Sequence, residues 1–75
     1  MKPVVFTVIA NWDAEAKLWC GHCDEVPVVA EAASLDALLE RATEQTIDLL
    51  PDNHPGVEPG SVVIQLIVQR EAATT

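Results

Sequence analysis

Ser34-Leu35-Asp36-Ala37-Leu38-Leu39-Glu40-Arg41-Ala42-Thr43-Glu44-Gln45-Thr46-Ile47-Asp48-Leu49-Leu50-Pro51 is the stretch that decides the fold. Ser34 is a residue type that caps a helix, because its hydroxyl accepts from a first-turn N–H that has no intrahelical partner. Asp36 adds negative charge at the positive end of the helix dipole. Leu35, Leu38, Leu39, Ala42, Thr46, Leu49 and Leu50 return to one side of a helix of about 3.6 residues per turn. Asp36, Glu40, Glu44 and Asp48 step along the opposite side, one turn apart. Pro51 has no N–H to continue the ladder, so the spacing predicts that the helix stops there. A single helix with one apolar stripe needs a sheet to cover that stripe.

The flanking residues supply the sheet. Val4 to Trp12 is rich in β-branched and aromatic types and predicts a first strand. Asp13, Ala14, Glu15 and Ala16 make a break suited to a hairpin turn into a second strand, Lys17 to Cys20. Pro27 cannot donate to a ladder and belongs between strands, with Val28, Val29 and Ala30 as a short third strand after it. Residues 51–61 hold three Pro and two Gly and predict a connecting loop. Val62 to Gln69 then forms a last strand with one apolar face and one mixed face, and Ala72 to Thr75 is expected to fray. The order is β-β-β-α-β. It predicts one α+β domain over residues 1–75, an antiparallel sheet of about four strands with one helix on one face.

Composition sets limits on partners. Four Lys and Arg against twelve Asp and Glu leave a formal charge of −8, which opposes nucleic acid and anionic membranes and favours a basic partner. Apolar residues make up 49% of the chain, so it folds. A chain this short hides only about 60% of its unfolded surface, and oligomerisation is the expected remedy. Val5, Ile9, Val63 and Ile67 point away from the helix side if both long strands are regular, and burying them between two copies predicts a homodimer. No apolar run near the start is long enough for a secretory or membrane segment, and the expected location is the cytoplasm.

Trp19-Cys20-Gly21-His22-Cys23 is similar to the active-site motif of protein disulfide isomerases and has thioredoxin-like Cys-x-x-Cys spacing. That chemistry needs a helix N-terminus at the first Cys to stabilise the thiolate. Asp24, Glu25, Val26, Pro27, Val28 and Val29 follow instead, which oppose a helix and would raise a thiol pKa. On a regular strand two residues three apart face opposite ways, with Cα atoms about 10 Å apart. A zinc site would need all of Cys20, Cys23, His22 and His54. A small thiol-redox or zinc protein is therefore the alternative reading, and it requires Cys20 and Cys23 to converge. No catalytic carboxylate pair, nucleophile triad, phosphate loop or basic patch stands out, and neither an enzymatic activity nor a cofactor is expected.

Two stretches together carry a resemblance: Trp12-Asp13-Ala14-Glu15-Ala16-Lys17-Leu18-Trp19, and Asp24-Glu25-Val26-Pro27 followed by Glu31-Ala32-Ala33-Ser34-Leu35-Asp36-Ala37-Leu38. They resemble HicB-like antitoxin domains, and most closely a short standalone bacterial branch of unknown function within that superfamily. Val28 stands where that branch usually has Gly. The resemblance implies a β-β-β-α-β, partial RNase H-like fold, and a non-catalytic dimer that in true antitoxins masks a small basic RNase. DNA binding there belongs to an appended segment for which this chain has no room. The expected function is a non-catalytic protein-binding module, antitoxin-like, whose contact residues are Asp36, Glu40, Glu44 and Asp48.

Overall fold

Asp13 organises the first hairpin. Its carboxylate Oδ1 accepts from the N–H groups of Glu15 at 3.1 Å and Ala16 at 3.2 Å, and its carbonyl accepts from Lys17 N at 2.7 Å. Lys17 takes a left-handed conformation, with φ of 57°, and so belongs to the turn rather than to the expected second strand. The flanking strands are β1, Val4–Asp13, and β2, Leu18–Cys23, paired antiparallel with Trp12 opposite Trp19. The computed structural model describes residues 3–70. The expected fraying of Ala72 to Thr75 lies outside them.

β2 runs three residues past the predicted end at Cys20, because Gly21, His22 and Cys23 pair with β3, Val28–Ala32. The turn between them is held from three sides. Val26 is fully buried, Glu25 Oε1 accepts from Thr7 N at 3.3 Å, and the Glu25 carbonyl accepts from His54 Nε2 at 2.9 Å. Backbone that strand β2 no longer reaches is thus satisfied by a side chain.

The helix, α1, spans Leu35–Asn53, and Ser34 Oγ accepts from Ala37 N at 3.1 Å as its sequence predicts. Leu38, Ala42, Thr46 and Leu50 are its buried line. Pro51 does not end it. Most of a further turn follows, in which Asn53 Nδ2 donates to the Leu49 carbonyl at 2.8 Å and His54 N donates to that of Leu50 at 2.7 Å. Leu50 is only 1% exposed and packs with Phe6, so core contact holds a last turn that Pro51 weakens.

The last strand, β4, Val62–Gln69, follows a single 3-10 turn at Pro59–Ser61. The sheet order is β3-β2-β1-β4 with α1 packed on one face, an α+β fold in the expected β-β-β-α-β order. The sheet is not antiparallel throughout: β4 runs parallel to β1 from Val4–Val62 to Asn11–Gln69. The reason is the crossover. β1, β2 and β3 alternate in direction, α1 carries the chain back to the end where β3 began, and the next strand runs with β3 and β1.

The core lies between α1 and the helix-facing residues of the central strands. One cluster gathers Phe6, Val8, Cys23, Val26, Val28, Ala42 and Leu50, and a second holds Ala10, Ala30, Ala32 and Leu38. Gly21 lets the layers approach. A Cβ built there would lie 3.1 Å from Val8 Cγ1 and 3.3 Å from both δ carbons of Leu38.

Candidate functional site

Asp36, Glu40, Glu44 and Asp48 are all exposed, because Leu38, Ala42, Thr46 and Leu50 turn the other side of α1 to the sheet. At about 1.5 Å per residue the four carboxylates form a line about 18 Å long. Arg41, the one cation within α1, does not neutralise the line. Its Nη1 donates to the Glu31 carbonyl at 2.6 Å, which draws the guanidinium to the edge of β3. Arg70 is likewise engaged, over the Trp12 ring at 5.4 Å. Four like charges one turn apart cost a few tenths of a kcal/mol per neighbouring pair, and a basic ligand would relieve that cost.

The cysteines do not converge. Cys23 is buried among Phe6, Val8 and Val28 on the helix side of β2, and Cys20 lies on the outer side, in register with Asn11 and Glu31. Both are free thiols. The Cys20 thiol donates to Glu31 Oε2 at 3.7 Å. Its pKa is pushed up, first by partial desolvation, then by the Glu31 carboxylate, and last by Asp13. That direction leaves less thiolate at neutral pH, the reverse of what thiol–disulfide exchange needs.

The two histidines are apart as well. His22 is exposed on the outer face, in register with Ile9 and Val29. His54 caps α1, its ring centroid 5.2 Å from that of Phe6 and its Nε2 bonded to the Glu25 carbonyl. The set Cys20, Cys23, His22 and His54 is thus split between two sheet faces and a helix end. Among the described residues, no three His, Cys, Asp or Glu side chains are grouped to hold a metal ion. Nor is any described helix long and apolar enough to cross a membrane.

In the sequence Gly21 stands out only as part of the Trp19-Cys20-Gly21-His22-Cys23 string. Its contacts make it the packing point between β2 and α1. The signal was present in part, since Gly within strand-forming residues often marks close approach of another element. The second missed feature is the treatment of the sheet edges. At β3, Val29 N donates to Gln45 Oε1 at 3.3 Å and the Glu31 carbonyl is taken by Arg41.

A solved structure of a hypothetical protein from the extremely thermophilic bacterium Thermus thermophilus is similar to this chain, with a TM-score of 0.68 and 29% sequence identity. The match covers 96% of this chain and 99% of that one. No curated protein matches closely enough to count as a relative. A family model described as "Domain of unknown function (DUF1902)" matches residues 5–74, almost the whole of the sequence. The chain belongs to that family.

Proposed function

We propose that this protein is a non-catalytic, homodimeric, HicB-like module that binds a small basic protein, of the toxin-type RNase class, through the acidic line of α1. The observation that carries the reading is the exposure of Asp36, Glu40, Glu44 and Asp48 along one helix face from which Arg41 is turned away. A basic nuclease offers a cationic RNA-binding surface, and an acidic face about 18 Å long suits it by charge and by reach. The β-β-β-α-β order, which is also the order the HicB resemblance implies, adds support. Two free thiols agree with action in a reducing cytoplasm. Thiol or zinc chemistry draws no comparable support from cysteines on opposite faces of β2.

The test is affinity capture from the native host at low salt, with the wild-type chain and with D36N/E40Q/E44Q/D48N side by side. The expected result is a small basic protein that binds only the wild type, elutes as salt is raised, and cleaves RNA until the wild-type chain is added. A captured protein that binds both chains alike, or whose RNA cleavage the wild type leaves untouched, sinks the reading. So does recovery of no basic protein at all.

A further inference from the structure

β4 is the most apolar strand of the chain, and none of its residues is buried. Val63 and Val68 are each 46% exposed and Ile67 is 40% exposed. The cause is position. β4 is an edge strand and α1 lies mainly over β3 and β2, so among the described residues no strand pairs with its outer edge and α1 covers its helix side only in part. A long, apolar, uncharged edge is an invitation to another strand, and proteins that must stay single blunt such edges with charge, proline or a bulge. β4 has no charged residue, no proline and an unbroken register with β1.

The opposite edge is treated differently. There Gln45 and Arg41 reach from α1 to occupy Val29 N and the Glu31 carbonyl, groups that an added strand would need. Gln45 and Arg41 are the only Gln and Arg of α1, so α1 offers β4 no corresponding pair. α1 closes the β3 edge of this sheet and does not close the β4 edge.

We infer that the outer edge of β4 is the seam of a two-fold dimer, in which β4 pairs antiparallel with β4 of a second copy. This deepens the homodimer of the proposed function and rests on it. Charge argues for a second copy as the occupant. A chain of net charge −8 repels itself over most approaches, and β4 is a stretch free of carboxylates. Symmetry sets the antiparallel sense, because a two-fold axis normal to the sheet reverses the direction of β4 in the second copy while keeping both copies in one sheet. Directly opposed residues must share a face, so the two-fold axis passes beside one residue, near Gln65 or Leu66, rather than between two. Both helices then lie on the same side of one continuous sheet, and both acidic lines stay free.

The test uses the full chain. Sedimentation equilibrium should give the wild type a mass twice the 8.1 kDa of one copy. V63K/V68K, which changes two exposed positions on opposite faces of β4, should give the single mass with an unaltered circular dichroism spectrum. V29K, at the far edge on the outer face, should remain a dimer. Amide exchange of the wild type should be slow along all of β4, because alternate N–H groups are paired to β1 and to the second copy. A monomeric wild type overturns both the seam and the homodimer. A dimer that V29K dissociates, whatever V63K/V68K does, leaves the homodimer standing and overturns the seam in favour of the outer sheet face, which Val29 and Val63 share. Should V63K/V68K fail to fold, exchange alone decides: a wild-type dimer in which every second β4 amide exchanges fast overturns the seam.

Discussion

Gly21→Ala measures how closely α1 presses on the sheet. The added Cβ would stand 3.1 Å from Val8 Cγ1 and 3.3 Å from the two δ carbons of Leu38, inside ordinary contact distance. Val8 and Leu38 are both fully buried, so neither side chain has open space to retreat into. Overpacking of this kind costs about 1–3 kcal/mol. Losing a glycine from the unfolded chain returns about 0.5–1 kcal/mol. The net expectation is a loss of up to about 2.5 kcal/mol, and for a small domain each kcal/mol lowers Tm by about 4–8 °C. A domain of 75 residues has about 4–11 kcal/mol in total, so the variant should still fold. Leu38→Val removes the δ carbons and should by itself cost about 1 kcal/mol. If the contact is the cause, G21A/L38V should be less destabilised than the sum of its parts by at least about 0.5 kcal/mol. Urea unfolding of the four proteins at one fixed concentration, followed by tryptophan fluorescence, supplies the cycle. A more stable G21A, or costs that add within about 0.3 kcal/mol, would refute the close-approach reasoning.

Four further outcomes are expected. Ser34→Ala removes the acceptor for Ala37 N and should cost about 1 kcal/mol, whereas S34D should keep most of the stability, both read by urea unfolding. Lys17→Gly relieves a left-handed residue whose strain is about 1–2 kcal/mol against a glycine entropy cost of about 0.5–1 kcal/mol, so thermal unfolding should show a gain of up to about 1 kcal/mol. Cys20 should react with iodoacetamide more slowly than a free thiol at pH 7, and Glu31→Gln, which removes a carboxylate that raises its pKa, should speed it. The stability linked to Cys20 is complete below the thiol's unfolded pKa and is lost as pH rises through the higher folded one, so Cys20→Ser should flatten the alkaline limb of a stability–pH profile above about pH 9. An alkaline limb unchanged by C20S would contradict the raised pKa.

What the sequence by itself determined was local. The helix start at Ser34, the buried line of Leu38, Ala42, Thr46 and Leu50, the turn after Asp13 and the exposed acidic line all follow from periodicity and capping, which neighbouring residues impose on each other. The order β-β-β-α-β followed from the same signals.

Tertiary structure decided what depends on residues far apart in the chain. β2 extends through Cys23 because β3 pairs with it and α1 fits against Gly21, so a string that resembled a redox motif became a strand with its thiols on opposite faces. α1 passes Pro51 because Leu50 is held in the core beside Phe6. β4 runs parallel to β1 because a helical crossover returns the chain to the end of the sheet where β3 began. Gln45 and Arg41 close one sheet edge only because the fold sets α1 beside β3, a proximity that no local pattern contains.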